Sequence, residues 1–336
     1  MKPLREPYFY HKLRKCKGDL PPRRRCFQLR SATSICYRLT SFAAEFPLFL
    51  GAAGTVNGET VMQFEIDRIV RTALQEDIGL GDVTTMAIVA QDSTAYAELV
   101  AREDFVLAGL DVAAAVFHQL DPEIDFEKIF VDGQKVNKGE VLAWIRGSAL
   151  MLLQAERVAL NLLQRMSGIA SLTARFVDAV QGTDAIIVDT RKTVPGLRAL
   201  DKYAVRAGGG RNHRIGLFDG VLIKENHIAA AGGINEAIFR AREKIPHTLK
   251  IEIETRNLDE VQQAVNAGAD IIMLDNMANN DMARAVELIG GRALTEASGG
   301  VSLERVREIA ETGVNIISVG ALTHSVVAAD ISMLFK

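Results

Sequence analysis

IEIETRNLDEVQQAVNAGADIIMLDNMANNDMARAVELIGGRALTEASGG, residues 251–300, decides the fold. Three short β-rich runs punctuate it, at Ile251–Glu254, Ile271–Leu274 and Ala293–Ala297. Between them, Leu258–Ala267 and Asp281–Ile289 carry apolar residues at helical spacing. Strand–helix–strand alternation with such short joints is what repeated parallel β–α units require. The pattern continues outward: β-rich runs recur at Ile186–Asp189, Val221–Lys224 and Ile316–Val319, and helix-like segments at Asn235–Lys244 and Leu303–Thr312. The expected fold class is α/β, with a barrel-like β/α domain over residues 171–336.

The strand ends carry the chemistry. Just past each run stand Thr190-Arg191-Lys192, Lys224, Glu254, Asp275, Ser298-Gly299-Gly300 and Gly320. In a β/α barrel these positions converge on one mouth, where active sites sit. Arg191, Lys192, His213, Arg214 and Lys224 form the cationic set, with Arg157 and Arg198 further out. Arginine forks match the paired oxygens of carboxylates and phosphates, so a cluster implies a ligand with several negative charges. Any one of these arginines alone reads equally well as a solvated surface residue.

Glu254 and Asp275 are the acidic counterpart. Carboxylates beside phosphate oxygens commonly hold Mg²⁺; bonds to sugar hydroxyls or a structural salt bridge are the alternatives. Glu252 shares the strand with Glu254, and only one of the two is expected to face the cavity. The turns at Ser298–Gly300 and Val319–Ala321 offer backbone N–H groups after the last two strands, where barrels often bind phosphate. The glycines at 208–210 either let backbone pass close to a ligand or simply shape a loop.

Upstream, Phe64, Ile66, Ile69, Val70, Ala73 and Leu74 give residues 64–77 a helical stripe ended by Gly79 and Gly81. Residues 95–149 read as short strands and turns with one helix, Asp111 to Gln119. The stretch 132–147 resembles half of a lipoyl module but has no obvious swinging lysine, so it reads as a small β structure. A long helical region follows over 150–181. Residues 62–170 are therefore expected to form an N-terminal α/β domain, onto which C-terminal residues can pack back.

Residues 1–61 differ from the rest. They hold eleven Lys/Arg against four Asp/Glu, a net of +7, and leave −10 for the remainder. Cys16, Cys26 and Cys36 all lie there, ten apart, which is not a zinc spacing. This basic leader is expected to be disordered or a non-native start, with translation beginning at Met62; a targeting peptide and a folded role are the other readings. The apolar patch from Ser41 to Gly54 is interrupted by Glu45 and Pro47.

Composition narrows the classes. The chain has 336 residues, is 48% apolar and 24% charged, and carries a net charge of −3. A generic nucleic-acid binder would be basic, and no run of about 18 apolar residues offers a membrane span. Neither nucleic acid nor membrane is expected as a partner. The cysteine-free body has no disulfide framework or thiol nucleophile, no Ser/His/Asp triad stands out, and His213, His227 and His324 lack zinc spacing. The expected location is the cytoplasm.

Several strings then match a known family. EDIGLGDVTT (76–85), AERVALNLLQRMSGIAS (155–171), DTRKTVPGLRALDKYAVRAGGGRNHRIGLFDGVLIKENH (189–227), EIE (252–254), MLDN (273–276), EASGG (296–300) and SVGALTHS (318–325) occur in order. Over about residues 62–336 the chain resembles the quinolinate phosphoribosyltransferases. The one noted departure, Ser171 for the usual threonine, is conservative. The resemblance implies a phosphoribosyltransferase barrel with a hammerhead-like N-terminal domain. It also implies a reaction: quinolinate and phosphoribosyl pyrophosphate give nicotinate mononucleotide, pyrophosphate and CO₂, with Mg²⁺, in NAD biosynthesis.

The resemblance further implies that Thr190, Arg191, Lys192, His213, Arg214 and Lys224 line the quinolinate site. Arg157 enters from the neighbouring subunit of a homodimer or larger assembly with shared sites. Glu254 and Asp275 serve the phosphoribosyl pyrophosphate and Mg²⁺ end, directly or indirectly. Ser298, Gly299 and Gly300 with Val319, Gly320 and Ala321 cup the 5-phosphate. Lys192, Lys224, Glu254 and Asp275 are the catalytic candidates. Rival readings are a non-decarboxylating nicotinate or nicotinamide transferase, the related protein found with molybdate transport genes, and a non-catalytic nucleotide sensor or scaffold. The retained cations favour a dicarboxylate.

Overall fold

The computed structural model describes residues 63–336, together with the backbone at 55–56 and 59–60. The expectations for the leader, including its cysteines and the patch at 41–54, lie outside the described residues; at its end, β1 (Thr55–Val56) pairs antiparallel with β2 (Glu59–Thr60). α1 (Gln63–Ile78) buries Ile66, Ile69, Val70 and Leu74, the stripe its sequence presents. The short α2 (Val83–Ile88) is capped by Asp82, whose carboxylate accepts the Thr85 N–H at 3.0 Å. Then follow β3 (Thr94–Ala101), β4 (Phe105–Val106), α3 (Leu110–Leu120), β5 (Asp125–Lys128), β6 (Lys135–Val136) and β7 (Val141–Ser148).

α4 (Ala149–Ala179) is the axis on which the rest is hung. It runs 31 residues without a break, so the junction expected at 170/171 lies inside a helix. Its buried side chains, among them Leu152, Leu160, Leu163, Met166, Ile169 and Phe176, occupy several faces, as a helix packed between layers requires. Two hydroxyls on it satisfy backbone that would otherwise be orphaned: Ser171 Oγ accepts the Val106 N–H at 2.8 Å and Ser167 Oγ the Ala108 N–H at 3.1 Å. No described helix is long and apolar enough to cross a membrane.

After α4 the β–α alternation begins: β8 (Ile186–Val188), α5 (Arg198–Ala207), β9 (Val221–Ile223), α6 (Glu225–Ala231), α7 (Ile234–Lys244), β10 (Ile251–Thr255), α8 (Leu258–Asn266), β11 (Ile271–Asp275), α9 (Asn279–Ile289), β12 (Leu294–Ser298), α10 (Val306–Glu311), β13 (Ile316–Ser318) and α11 (Ala321–His324). The six strands are parallel, in the order β8-β13-β12-β11-β10-β9. Runs such as Ile186–Val188 and Val221–Ile223 are almost wholly apolar because both faces of such a sheet are covered. The last strand, β14 (Ile331–Phe335), returns to the antiparallel sheet, whose order is β14-β3-β7-β5.

The first strand of the parallel sheet lies beside the last, as in a barrel. β8 and β9, however, are neighbours in the chain yet sit at opposite edges. That leaves a seam between them. The glycine-rich segment after α5 covers it on the β8 side: Arg211 donates its N–H to Ile187 O at 2.9 Å and accepts from the Asp189 N–H at 3.2 Å.

The seam is locked by buried charge. Lys202 Nζ lies 2.5 Å from Asp189 Oδ1 and donates to His213 O at 2.8 Å; Lys202 is 2% exposed and Asp189 0%. Asp189 also accepts from Asn212 Nδ2 at 2.6 Å and the His213 N–H at 2.9 Å. Burial pushes Asp189 up and Lys202 down, and their mutual contact opposes both shifts. Removing one member of such a pair strands the other in a dry site. Lys202→Met is therefore expected to lose roughly 3–5 kcal/mol in a denaturant titration, and Asp189→Asn/Lys202→Met to recover part of that loss. A single variant as stable as the parent would show that the pair does not hold the seam.

Candidate active site

Inside the barrel, three ionisable side chains meet that sequence spacing does not connect. His213 comes from the seam segment, Glu252 from β10 and Glu296 from β12. The His213 Nε2 lies 3.0 Å from Glu252 Oε2 and 3.7 Å from Glu296 Oε1. One ligand atom from each falls within 4.8 Å of the others, the spacing of a compact cation-holding trio. Residues i and i+2 of a strand share a face. Glu252 and Glu254 therefore both point inward, Glu252 deep and Glu254 nearer the mouth, contrary to the expectation that only one would.

Two carboxylates this close in a dry interior cannot both ionise freely. Burial and then Glu252 push Glu296 up to about 7. Burial alone would depress His213, but Glu252 and Glu296 outweigh it and the imidazole is held above its ordinary value. Its other nitrogen, Nδ1, accepts the Arg214 N–H at 2.7 Å. Both ring nitrogens are thus engaged by the protein. His213 was expected among the cations facing a ligand; the structure turns its ring inward and makes it a neighbour of Arg214 instead.

At the mouth, Arg191 and Arg214 are the informative pair. Arg214 Nη1 donates to Gly220 O at 2.9 Å, but its Nε is buried without a partner, and so is the Nε of Arg191. Arg214 is held below its ordinary value by burial and then by the charge of Arg191. Two guanidinium groups that repel each other and keep dry, unused donors have both charge and hydrogen bonds to offer an anion. Arg198 secures the adjoining loop, donating to Thr193 Oγ1 at 2.9 Å and Ile215 O at 3.1 Å. Thr190 Oγ1 accepts the Lys192 N–H at 3.0 Å and so turns the chain after β8.

Lys224, at the end of β9, pairs with Glu254 at the end of β10. Glu254 and Asp275 line one cavity of about 190 Å³ with Arg256, Glu225 and Glu260. Asp275 accepts from Asn276 Nδ2 at 3.0 Å, and Asn276 adopts φ 54°. Gly299 has φ 89°, and a Cβ there would run into the Asn276 amide. Only glycine lets the Ser298–Gly300 turn lie this close to the acid end. Arg305, unmarked in the sequence, donates to Gly300 O at 3.1 Å and braces the turn.

The second turn is partly used up. The Val319 N–H donates to Val188 O at 2.9 Å, so of Val319, Gly320 and Ala321 only the latter two lead free N–H groups into α11. A Cβ on Gly320 would lie 3.0 Å from Lys192 Cδ and 3.2 Å from the His324 ring. Lys192 therefore lies along this turn, with its carbonyl held by Thr323 Oγ1 at 2.8 Å. Arg157 stands apart: it is exposed on α4 and makes no hydrogen bond or ion pair among the described residues.

The interior trio generates a pH test. Glu296 binds its proton more tightly folded than unfolded, so its neutral form stabilises the fold below about pH 4.5. That contribution is lost as pH rises from there to about 7. Glu296→Gln stays neutral throughout. Its stability relative to the parent is expected to rise between pH 5 and pH 8, by on the order of 1–3 kcal/mol. A difference that is flat with pH in denaturant titrations would contradict the burial argument.

Comparison with known proteins identifies the family. The family model of the quinolinate phosphoribosyl transferase C-terminal domain matches residues 169–334, and that of the N-terminal domain matches residues 82–167. The probable nicotinate-nucleotide pyrophosphorylase [carboxylating] of Bacillus subtilis (strain 168) is 45% identical over 269 residues, covering 80% of this chain and 93% of its own. The mitochondrial quinolinate phosphoribosyltransferase [decarboxylating] 2b of Nicotiana tabacum is 45% identical over 289 residues, covering 80% and 82%. The solved nicotinate-nucleotide pyrophosphorylase of Francisella tularensis superposes with a TM-score of 0.80 at 41% identity, covering 84% of this chain and 100% of that one. With both domain models matched in order and relatives at this identity, the chain belongs to the quinolinate phosphoribosyltransferase family.

Proposed function

We propose that this chain transfers phosphoribosyl from phosphoribosyl pyrophosphate to quinolinate with decarboxylation, giving nicotinate mononucleotide, pyrophosphate and CO₂. The observation that carries the reading is the Arg191–Arg214 pair with its two buried, partnerless Nε donors. Quinolinate is a planar dicarboxylate. Its carboxylates supply both the paired oxygens that guanidinium forks match and the charge that relieves their repulsion. A monocarboxylate such as nicotinate would leave more of the cation cluster unpaired. Thr190, Lys192 and Lys224 complete this end of the site, with His213 behind Arg214.

The phosphoribosyl pyrophosphate end falls to Glu254 and Asp275, with the 5-phosphate in the turns Ser298–Gly300 and Gly320–Ala321 beside Lys192. The two carboxylates share one small cavity, and an all-oxygen donor set suits Mg²⁺. Bound there, Mg²⁺ would neutralise charge on the departing pyrophosphate. The pyridine nitrogen attacks ribose C1 while the C1–O bond to pyrophosphate breaks, so no protein nucleophile is needed. Glu254 and Asp275 face the positive charge that develops on the sugar, as fixed electrostatic stabilisation. The positively charged N-ribosylated ring then stabilises the electron pair left on its carbon when the adjacent carboxylate leaves as CO₂, and a proton from water takes up that pair to give nicotinate mononucleotide. The protein's work is positioning and charge, and Lys192 and Lys224 hold the anionic groups in line.

The reading extends to the assembly and its location. Arg157, exposed and without a partner among the described residues, is proposed to complete the site of a second copy in a homodimer; active protein eluting as a monomer would overturn this. Catalysis is proposed to occur in the cytoplasm. Relatives named mitochondrial or chloroplastic make organelle import the outcome that fractionation of cells carrying the full chain would reveal instead.

The test is an assay of purified chain with quinolinate, phosphoribosyl pyrophosphate and Mg²⁺. Nicotinate mononucleotide and CO₂ are expected in equal amounts, with turnover abolished by chelator and restored by Mg²⁺. Turnover of nicotinate and not quinolinate would overturn the reading. Arg191→Ala loses hydrogen bonds between charged groups, each worth about 1.5–3 kcal/mol. Its quinolinate affinity is expected to fall roughly 10- to 150-fold, with phosphoribosyl pyrophosphate binding changed far less. Equal loss of both in titration calorimetry would remove Arg191 from the dicarboxylate site.

A further inference from the structure

The mouth does not explain why the barrel buries two glutamates beneath it. Glu252 is 4% exposed and Glu296 1%, and each keeps an Oε1 without a hydrogen-bond partner. Buried carboxylates are costly unless they hold something in place. What they hold is the His213 ring. With Nδ1 accepting the Arg214 N–H, the ring's proton is on Nε2, which faces Glu252 at 3.0 Å. The imidazole is a strut between the β10 carboxylate and the backbone nitrogen of the residue that carries the mouth guanidinium. It is fixed at both ends, and the chain passes directly from it into Arg214.

We infer that Glu252 is a positioning residue for substrate recognition: through the His213 ring it sets the Arg214 backbone, and hence the guanidinium that receives a quinolinate carboxylate. The inference rests on the reading of the site as a quinolinate site. Without an acceptor at Nε2 the ring is free to turn about its Cβ–Cγ bond. The Arg214 N–H then loses Nδ1, and the stretch from His213 to Gly220 loses its inner anchor. Its outer anchors, Lys202 to His213 O and Arg198 to Ile215 O, remain. The fold should therefore survive while the guanidinium loses its fixed position. Glu254 and Asp275 at the other end of the site do not depend on this strut. Glu296 sits behind, close enough to both partners to keep the carboxylate and ring together.

The discriminating observable is the division between the two substrates. In the full chain, Glu252→Ala is expected to raise the quinolinate KM about tenfold. Its phosphoribosyl pyrophosphate KM and kcat should stay within about twofold of the parent. Glu252→Gln keeps an oxygen that accepts the Nε2–H, and its quinolinate KM should return to within about threefold of the parent. Glu252→Asp keeps the charge but withdraws the acceptor by one methylene. It should give an intermediate rise, and it carries the comparison if the alanine variant does not fold.

An unchanged quinolinate KM in folded Glu252→Ala or Glu252→Asp would overturn the inference. So would equal rises in both KM values, or no rescue by glutamine. Absence of quinolinate turnover by the parent chain would overturn the reading and the inference together. Parent turnover with undivided variant effects would overturn the inference alone.

Discussion

The contact between Lys202 and Asp189 governs how this barrel is built. The parallel sheet closes in strand order but not in hydrogen bonds, because β8 and β9 lie at its two edges. An open seam would expose strand edges and leave the mouth without one wall. The chain fills it with the segment from Gly208 to Gly220, whose large apolar residues Ile215, Leu217 and Phe218 are exposed and do not bind it down. Buried charge does so instead: Asp189, at the end of β8, gathers Lys202, Asn212 and the His213 backbone around one carboxylate. A second pair, half-buried Arg165 to buried Asp201 at 2.8 Å, fastens α5 to α4 one residue away in sequence. Pairs of this kind add little net stability over well-packed apolar groups, but they discriminate sharply against misplacement. At a seam that carries the Arg214 guanidinium to the mouth, placement is what matters.

Electrostatics then divides the interior by depth. The inner face holds negative charge, from Glu252 and Glu296. The rim above the seam holds positive charge, from Arg191 and Arg214. His213 lies between them and belongs chemically to both. Each layer would be unfavourable alone: two carboxylates in a dry space, or two guanidinium groups with unused donors. Stacked, the lower layer partly compensates the upper, and Glu252 and Glu254 both act to restore charge to Arg214. The rim remains short of negative charge, which is the condition for an anionic ligand to be drawn in without a large rearrangement.

The sequence disclosed the parts of this architecture that repeat. Strand ends are legible because apolar runs stop abruptly at Arg191, Lys224, Glu254 and Asp275, and a barrel brings such stops together. The turns at Ser298–Gly300 and Gly320 are legible because glycine is written where backbone must approach closely. The inner trio was not legible. Its members lie on a loop and two non-adjacent strands, and only closure of the sheet brings them together. One signal was present: a glutamate in the middle of a covered parallel strand, as at Glu296, has nowhere to point but the interior. Strand parity also puts Glu252 and Glu254 on one face. His213 was read among the cations because a basic residue near a site reads as a ligand contact. Its ring orientation depends on Glu252 and on a backbone N–H that no spacing rule exposes.

The return of β14 to the antiparallel sheet has a consequence for synthesis. β3 is made before any barrel strand, but its edge partner follows all six of them, with Ile331 opposite Ala101 and Phe335 opposite Ala97. While the barrel strands are being translated, β3 therefore waits with one edge unpaired and its backbone groups open to other chains. The N-terminal sheet cannot reach its final form before all six barrel strands have been made, however quickly β7 and β5 assemble on its other side. Completion of this sheet waits on synthesis of the barrel, and the interval before it is when nascent copies are most exposed to pairing with one another or to capture by chaperones.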